Sequence, residues 1–191
     1  MSRWSALAIW LALAGALAFR LPDLDRRPIH TDEAVNAVTV MDLWQEGQYR
    51  YNPDEHHGPT LHYATLPFLW ASGAEDPNDL KDGTLRLAPV LFGAGLILLL
   101  FLFRDGLGSG AAAWAAFFLA ISPAMVFYSR YFIHEQLLVF FTALAIGAGW
   151  RYFQCRSLGW AALAGAGVGL MFATKETFVL SLAAMAAAGG A

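Results

Sequence analysis

LRLAPVLFGAGLILLLFLFRDGLGSGAAAWAAFFLAISPAMVFY, Leu85 to Tyr128, decides how the rest of this chain is read. Two apolar runs, Leu85–Phe103 and Ala111–Tyr128, flank the short polar turn Arg104–Gly110. A membrane-crossing helix needs about 20 mostly apolar residues, and each run comes close. The pair therefore predicts two spans joined by a tight turn. Further apolar segments lie on either side: Trp4–Phe19 before them, then Ile133–Tyr152, Leu158–Thr174, and a run from Thr177 to the last residue. With 58% of 191 residues hydrophobic, the chain is well above the roughly 45–50% apolar usage of soluble domains. The expected fold is an all-α polytopic transmembrane helix bundle. Its long first loop, residues 20–84, lies outside and carries interfacial helices.

Trp4–Phe19 reads as an uncleaved first span, because the bulky Phe19-Arg20-Leu21-Pro22 offers no small-residue cleavage site. The sixth run is still apolar at its end, so the chain is expected to be the N-terminal part of a longer protein. One cysteine, Cys155, excludes an internal disulfide. A net charge of −3 is too small to define a partner, and nucleic acid is not among those expected.

Short-loop positive charge sets the orientation. Arg3, Arg104, Arg151 and Arg156 fall on one face; Arg130 and Lys175 fall on the other. This places the N-terminus inside. Alternating spans then gather Asp32, Glu33, Glu55, Glu135, Glu176 and all five histidines on the outer face, leaving only Asp105 among the acids inside. The expected location is the cytoplasmic membrane, multi-pass, with the active face outside.

Four polar constellations stand on that face. Thr31-Asp32-Glu33 opens a helix predicted to run to Glu46 and stop at Gly47, with Thr31 as its cap. Two carboxylates complement the dipole there, and an aqueous carboxylate in that place also suits a general base. Asp54-Glu55-His56-His57, followed by His62, is dense in the ligand types of a divalent metal, Zn²⁺, Mn²⁺ or Mg²⁺. Glu55, His57 and His134 are the candidate ligands. Next comes Arg130-Tyr131-Phe132-Ile133-His134-Glu135, where charge at the mouth of a span points to an interfacial Arg130–Glu135 pair or a functional pocket. The fourth is Lys175-Glu176 between two spans, where Lys175 is placed to meet a lipid phosphate. A second short helix is expected from Pro59 to Trp70, shortened or kinked by Pro67.

Taken in order, HTDEA, DEHHGPTLHY, RYFIHE and ATKETF resemble the GT-C superfamily of polytopic glycosyltransferases. They are most similar to its prokaryotic flippase activity-associated branch, beside the protein O-mannosyltransferases and aminoarabinose transferases. The resemblance implies that Asp32, with Glu33 beside it, is the catalytic general base. It implies that Glu55 and Glu135 form the second acidic site, contacting acceptor or metal. His134 stands where relatives often carry a second acid. The implied partners are a polyprenyl-phosphate sugar donor and a protein or glycan acceptor, with Arg130, Lys175 and His56 as phosphate-binding cations. An accessory protein that binds or helps flip a lipid-linked oligosaccharide is the alternative. A metal or proton transporter is disfavoured, because its ionisable groups belong near mid-membrane and these lie at span ends.

Overall fold

The computed structural model of the protein describes residues 3–52, 57–76 and 79–189. These residues form eight helices and no strand: α1 Arg3–Arg20, α2 Thr31–Glu46, α3 Thr60–Ser72, α4 Asp82–Ile121, α5 Pro123–Ser129, α6 Glu135–Cys155, α7 Leu158–Phe172 and α8 Phe178–Gly189. Among them, α4 and α6 are long and apolar enough to cross a membrane, while α7 and α8 are apolar but shorter.

The two apolar runs of the opening stretch are the two limbs of α4. They meet at Gly108, whose φ of 77° and ψ of 166° are not helical. A side chain resists that left-handed conformation, and glycine does not. The limbs then fold back on each other. Ile97 and Leu100 of the first limb, Ala112, Ala116 and Ala120 of the second, and Ile9 and Ala16 of α1 share one buried cluster. Trp10 meets Phe101 at one level, while Arg20 donates to the Leu119 and Ala120 carbonyls at another. The first limb therefore runs antiparallel to α1 and the second parallel to it.

The apolar run expected to continue unbroken through 111–128 is instead divided at Ser122, which is extended (φ −55°, ψ 122°). Pro123 explains the break, since it disfavours helical geometry in the preceding residue and lacks an N–H to donate. A short helix, α5, follows it and ends at the buried Ser129.

Helix α6 returns parallel to the first limb: Phe140 meets Phe92, and Arg151 reaches the Phe101 carbonyl. A second core joins Ala37, Val40 and Leu43 of α2 to Leu61, Leu66 and Leu69 of α3, with Phe132, Leu137 and Phe141 beneath them. The helices of residues 20–84 thus pack on each other and on the start of α6. Pro67 sits inside α3 without ending it. All chain reversals near residues 21–30, 57–60, 130–134 and 173–177 gather at one polar end, while Arg104, Asp105 and Arg151 mark the opposite one.

Candidate functional site

The site starts with the cap of α2. His30, not Thr31, is the N-cap: its Nδ1 accepts from the Asp32 N–H, and the Glu33 carboxylate accepts from the His30 N–H. This reciprocal arrangement satisfies two otherwise orphaned donors. The expected Thr31 cap is therefore shifted by one residue, because Glu33 at the third helical position closes the box on His30. Gly47 ends the helix as expected.

The neighbouring carboxylates have opposite surroundings. The Glu33 side chain is fully buried. Arg86 approaches it as a fork, Nε to Oε1 at 2.8 Å and Nη2 to Oε2 at 3.0 Å. Arg27 adds a bond of 3.0 Å, and the Phe132 backbone N–H one of 2.9 Å. Burial by itself would raise the carboxyl pKa, but the donors from Arg86, Phe132 and His30, with the Arg86 charge, outweigh it and hold Glu33 below its ordinary value. Arg86 is buried too and also donates to the Leu24, Arg27 and Pro28 carbonyls. One Glu33–Arg86 pair thereby ties residues 24–33, α4 and the chain before α6 together.

The Asp32 side chain is 66% exposed. Its Oδ2 lies 3.2 Å from the Tyr131 hydroxyl, which also sits 2.5 Å from His30 Nδ1. Burial, then the charge of Asp32, pushes the Tyr131 phenol up to about 12. At neutral pH Tyr131 is protonated and available as a donor.

Asp32 opens onto a pocket of about 350 Å³ shared with Asn36, His57, His134, Glu135 and Lys175. Glu135 pairs with Lys175, not with Arg130. His57 Nδ1 is 2.7 Å from Glu176 Oε2. The sequence strings meet here through backbone: Gly58 N–H donates to the Thr174 carbonyl and Thr60 N–H to that of Ala173. A Cβ at Gly58 would fall 2.1 Å from the Ala173 oxygen, so only glycine permits this approach. His134 Nε2 is 3.0 Å from the Gly58 carbonyl. Burial, followed by the adjacent His62 and His57 rings, pushes the His134 pKa well below the usual imidazole range.

Among the described residues no three His, Cys, Asp or Glu side chains converge as a metal site requires. His57 and His134 do meet edge to face, 5.2 Å between ring centres. Glu176 and the Gly58 carbonyl already engage one nitrogen of each. Glu55, the third expected ligand, and the phosphate candidate His56 lie outside the described residues. The described donor set does not complete a metal site.

Arg130 lies apart from this pocket. It donates to the Phe19, Arg20 and Asp23 carbonyls, and it lines a second cleft with Arg27 and Arg86. Arg27 and Arg86 stand outside the four polar constellations of the sequence, while Tyr131 and Glu176 lie within them without a role of their own. Arg86 carried a readable signal, since a charge inside the apolar run 85–103 demands a partner. Tyr131 carried none.

Residues 79–188 match the profile of a family described as Dolichyl-phosphate-mannose-protein mannosyltransferase. No curated protein and no solved structure matches the chain. The matched segment holds Arg86, Tyr131, His134, Glu135 and Lys175, while Asp32 and Glu33 precede it. With more than half of its length in that match, the chain belongs to the dolichyl-phosphate-mannose-protein mannosyltransferase family.

Proposed function

We propose that the protein is a GT-C type membrane glycosyltransferase moving a sugar from a polyprenyl-phosphate donor to a protein or glycan acceptor at the outer face of the cytoplasmic membrane. The observation that carries this reading is Asp32: an exposed carboxylate, steadied by Tyr131 and His30, at the rim of a polar pocket. Family membership supplies the reaction class. The strings HTDEA, DEHHGPTLHY, RYFIHE and ATKETF, within residues 30–178, resemble the flippase activity-associated branch and support a polyprenyl carrier.

In this mechanism Asp32 takes the proton from the acceptor hydroxyl as that oxygen attacks the anomeric carbon. The bond from the anomeric carbon to the phosphate oxygen breaks, and the phosphate leaves with the electron pair. A single displacement inverts the anomeric centre. Lys175 and His57, on the same pocket, are placed to offset the charge that develops on the leaving phosphate. Glu33 acts through position: by fixing Arg86, Arg27 and Phe132 it sets where Asp32 stands.

The test compares lipid-linked sugars, by mass spectrometry, in a deletion host carrying native protein or an equally expressed Asp32→Asn variant. The enzyme reading expects the variant to accumulate a polyprenyl-phosphate sugar and lose a glycosylated product. A variant that matches native while the deletion does not makes the carboxylate dispensable and favours an accessory role in flipping or binding a lipid-linked oligosaccharide.

A further inference from the structure

We propose that a groove along the outward face of α2 selects the acceptor, taking an extended polypeptide with a basic side chain about four residues from the reacting hydroxyl. The proposal rests on the transfer reading above and deepens it, choosing protein over glycan as the acceptor.

Asp32, Val35, Val38, Thr39 and Asp42 recur at helical spacing, so they share one side of α2. The opposite side is committed to the core, where Ala37, Val40 and Leu43 join Leu61, Leu66 and Leu69 of α3. A further pocket, of about 310 Å³, is lined by Val35, Val38, Thr39 and Asp42, with Gln48 and Arg50 from the chain after the helix. Val35 also lines the transfer pocket. The two cavities therefore meet at Val35 and form one groove that begins at Asp32.

Length and chemistry name the occupant. From Asp32 to Asp42 the helix rises about 15 Å, and an extended peptide advances about 3.3 Å per residue. With an acceptor hydroxyl at Asp32, a residue about four places along stands beside Asp42, within reach of a long side chain. Val35 and Val38 are 43% and 60% exposed and offer aliphatic contact to the residues between. Arg50 is paired with Glu46, and among the described residues no cation pairs with Asp42. The far end of the groove thus carries an unmatched negative charge, which a lysine or arginine of the acceptor balances.

Other occupants lack this match. A glycan brings neutral hydroxyls, which neither pack on valine side chains nor balance a carboxylate. No Trp, Tyr or Phe lines the pocket for a sugar ring to stack on. An anionic lipid headgroup is repelled by the carboxylates at both ends.

Peptide binding to the detergent-solubilised protein, followed by microscale thermophoresis without donor, tests this. One probe is Lys-Ala-Ala-Val-Thr-Val-Ala-Ala-Lys, which presents its charge in either chain direction; the other has Glu at both ends. The lysine peptide should bind about fivefold tighter, the scale of one exposed ion pair. Asp42→Lys, a substitution at an exposed position, should reverse that order, and Asp32→Asn should keep it. Equal binding of the two peptides, or a lysine preference that persists in Asp42→Lys protein of native melting temperature, overturns the groove. So does a mannose tetrasaccharide that binds the native protein more tightly than either peptide. With no donor sugar present, peptide binding and the Asp32→Asn transfer result are independent, so failure of one reading is not mistaken for failure of the other.

Discussion

The two ends of the helical bundle each carry an arginine–carboxylate pair, and the pairs differ in what surrounds them. At the polar end, Arg86 and Glu33 are buried, fork-bonded, and joined to the backbone of three chain segments. At the opposite end, Asp105 reaches Arg151 and Arg104 from a partly exposed position. Exposed pairs contribute little because water and salt screen them. A buried pair broken on one side leaves an uncompensated charge, at a cost of about 3–5 kcal/mol. The same residue types thus serve as surface decoration at one end and as the organising joint of a candidate site at the other.

The sharpest way to break this contrast is Arg86→Ala. It should destabilise the detergent-solubilised protein by about 3–5 kcal/mol in denaturant unfolding, and transfer should fail with it. A melting curve matching native would remove Glu33–Arg86 from its organising role.

The next prediction separates the adjacent carboxylates. Asp32→Asn should lower the transfer rate by about 10²–10⁴-fold while stability stays within about 0.5 kcal/mol of native. Glu33→Gln should lower both. Parallel loss of stability in the two variants would erase the distinction drawn between them.

Gly58→Ala should cost about 1–3 kcal/mol through overpacking, since its Cβ meets the Ala173 carbonyl. It should also weaken the pocket that joins His57 to Lys175. Protease cleavage within residues 50–60, faster than in native protein, is the readout.

Acid titration sharpens the comparison further. Both Glu33 and His134 are shifted down in the folded protein. Above about pH 6.5 neither shift matters, because folded and unfolded states hold the same protons on these groups. As pH falls below that value, the unfolded state takes a proton on His134 that the folded state refuses, and stability declines. Below about pH 4.3 Glu33 adds a second decline, since its stabilisation is lost as pH falls through its folded pKa. Melting temperature against pH should show both steps, and His134→Phe should remove the upper one. A profile flat from pH 7 to 4.5 contradicts the His134 step, and one with no further decline below about pH 4.3 contradicts the Glu33 step.

The smallest effect belongs to the opposite end. Asp105→Asn should leave the melting temperature and the transfer rate unchanged within error.

Helices were legible wherever hydrophobicity was periodic or continuous. The run 31–46 with Gly47 after it, and the apolar segments around Gly108, are local patterns, and backbone geometry follows them. Ser122 could have been read from Pro123. The His30 cap was harder, because either His30 or Thr31 can accept an N–H, and Glu33 bonding back decided between them.

The sequence by itself determined that this chain is helical, that its polar residues collect at chain reversals, and that Asp32, Glu135 and Lys175 belong to one end. These follow from apolar run lengths and charge position, which are properties of neighbours in the chain. Only the tertiary structure decided that Glu33 is buried while Asp32 faces water, that Glu135 pairs with Lys175, and that Arg130 joins a different cleft. Those outcomes depend on contacts between residues 40 to 111 positions apart. The partner a charge finds across such distances is fixed by how helices pack, and no local pattern records it.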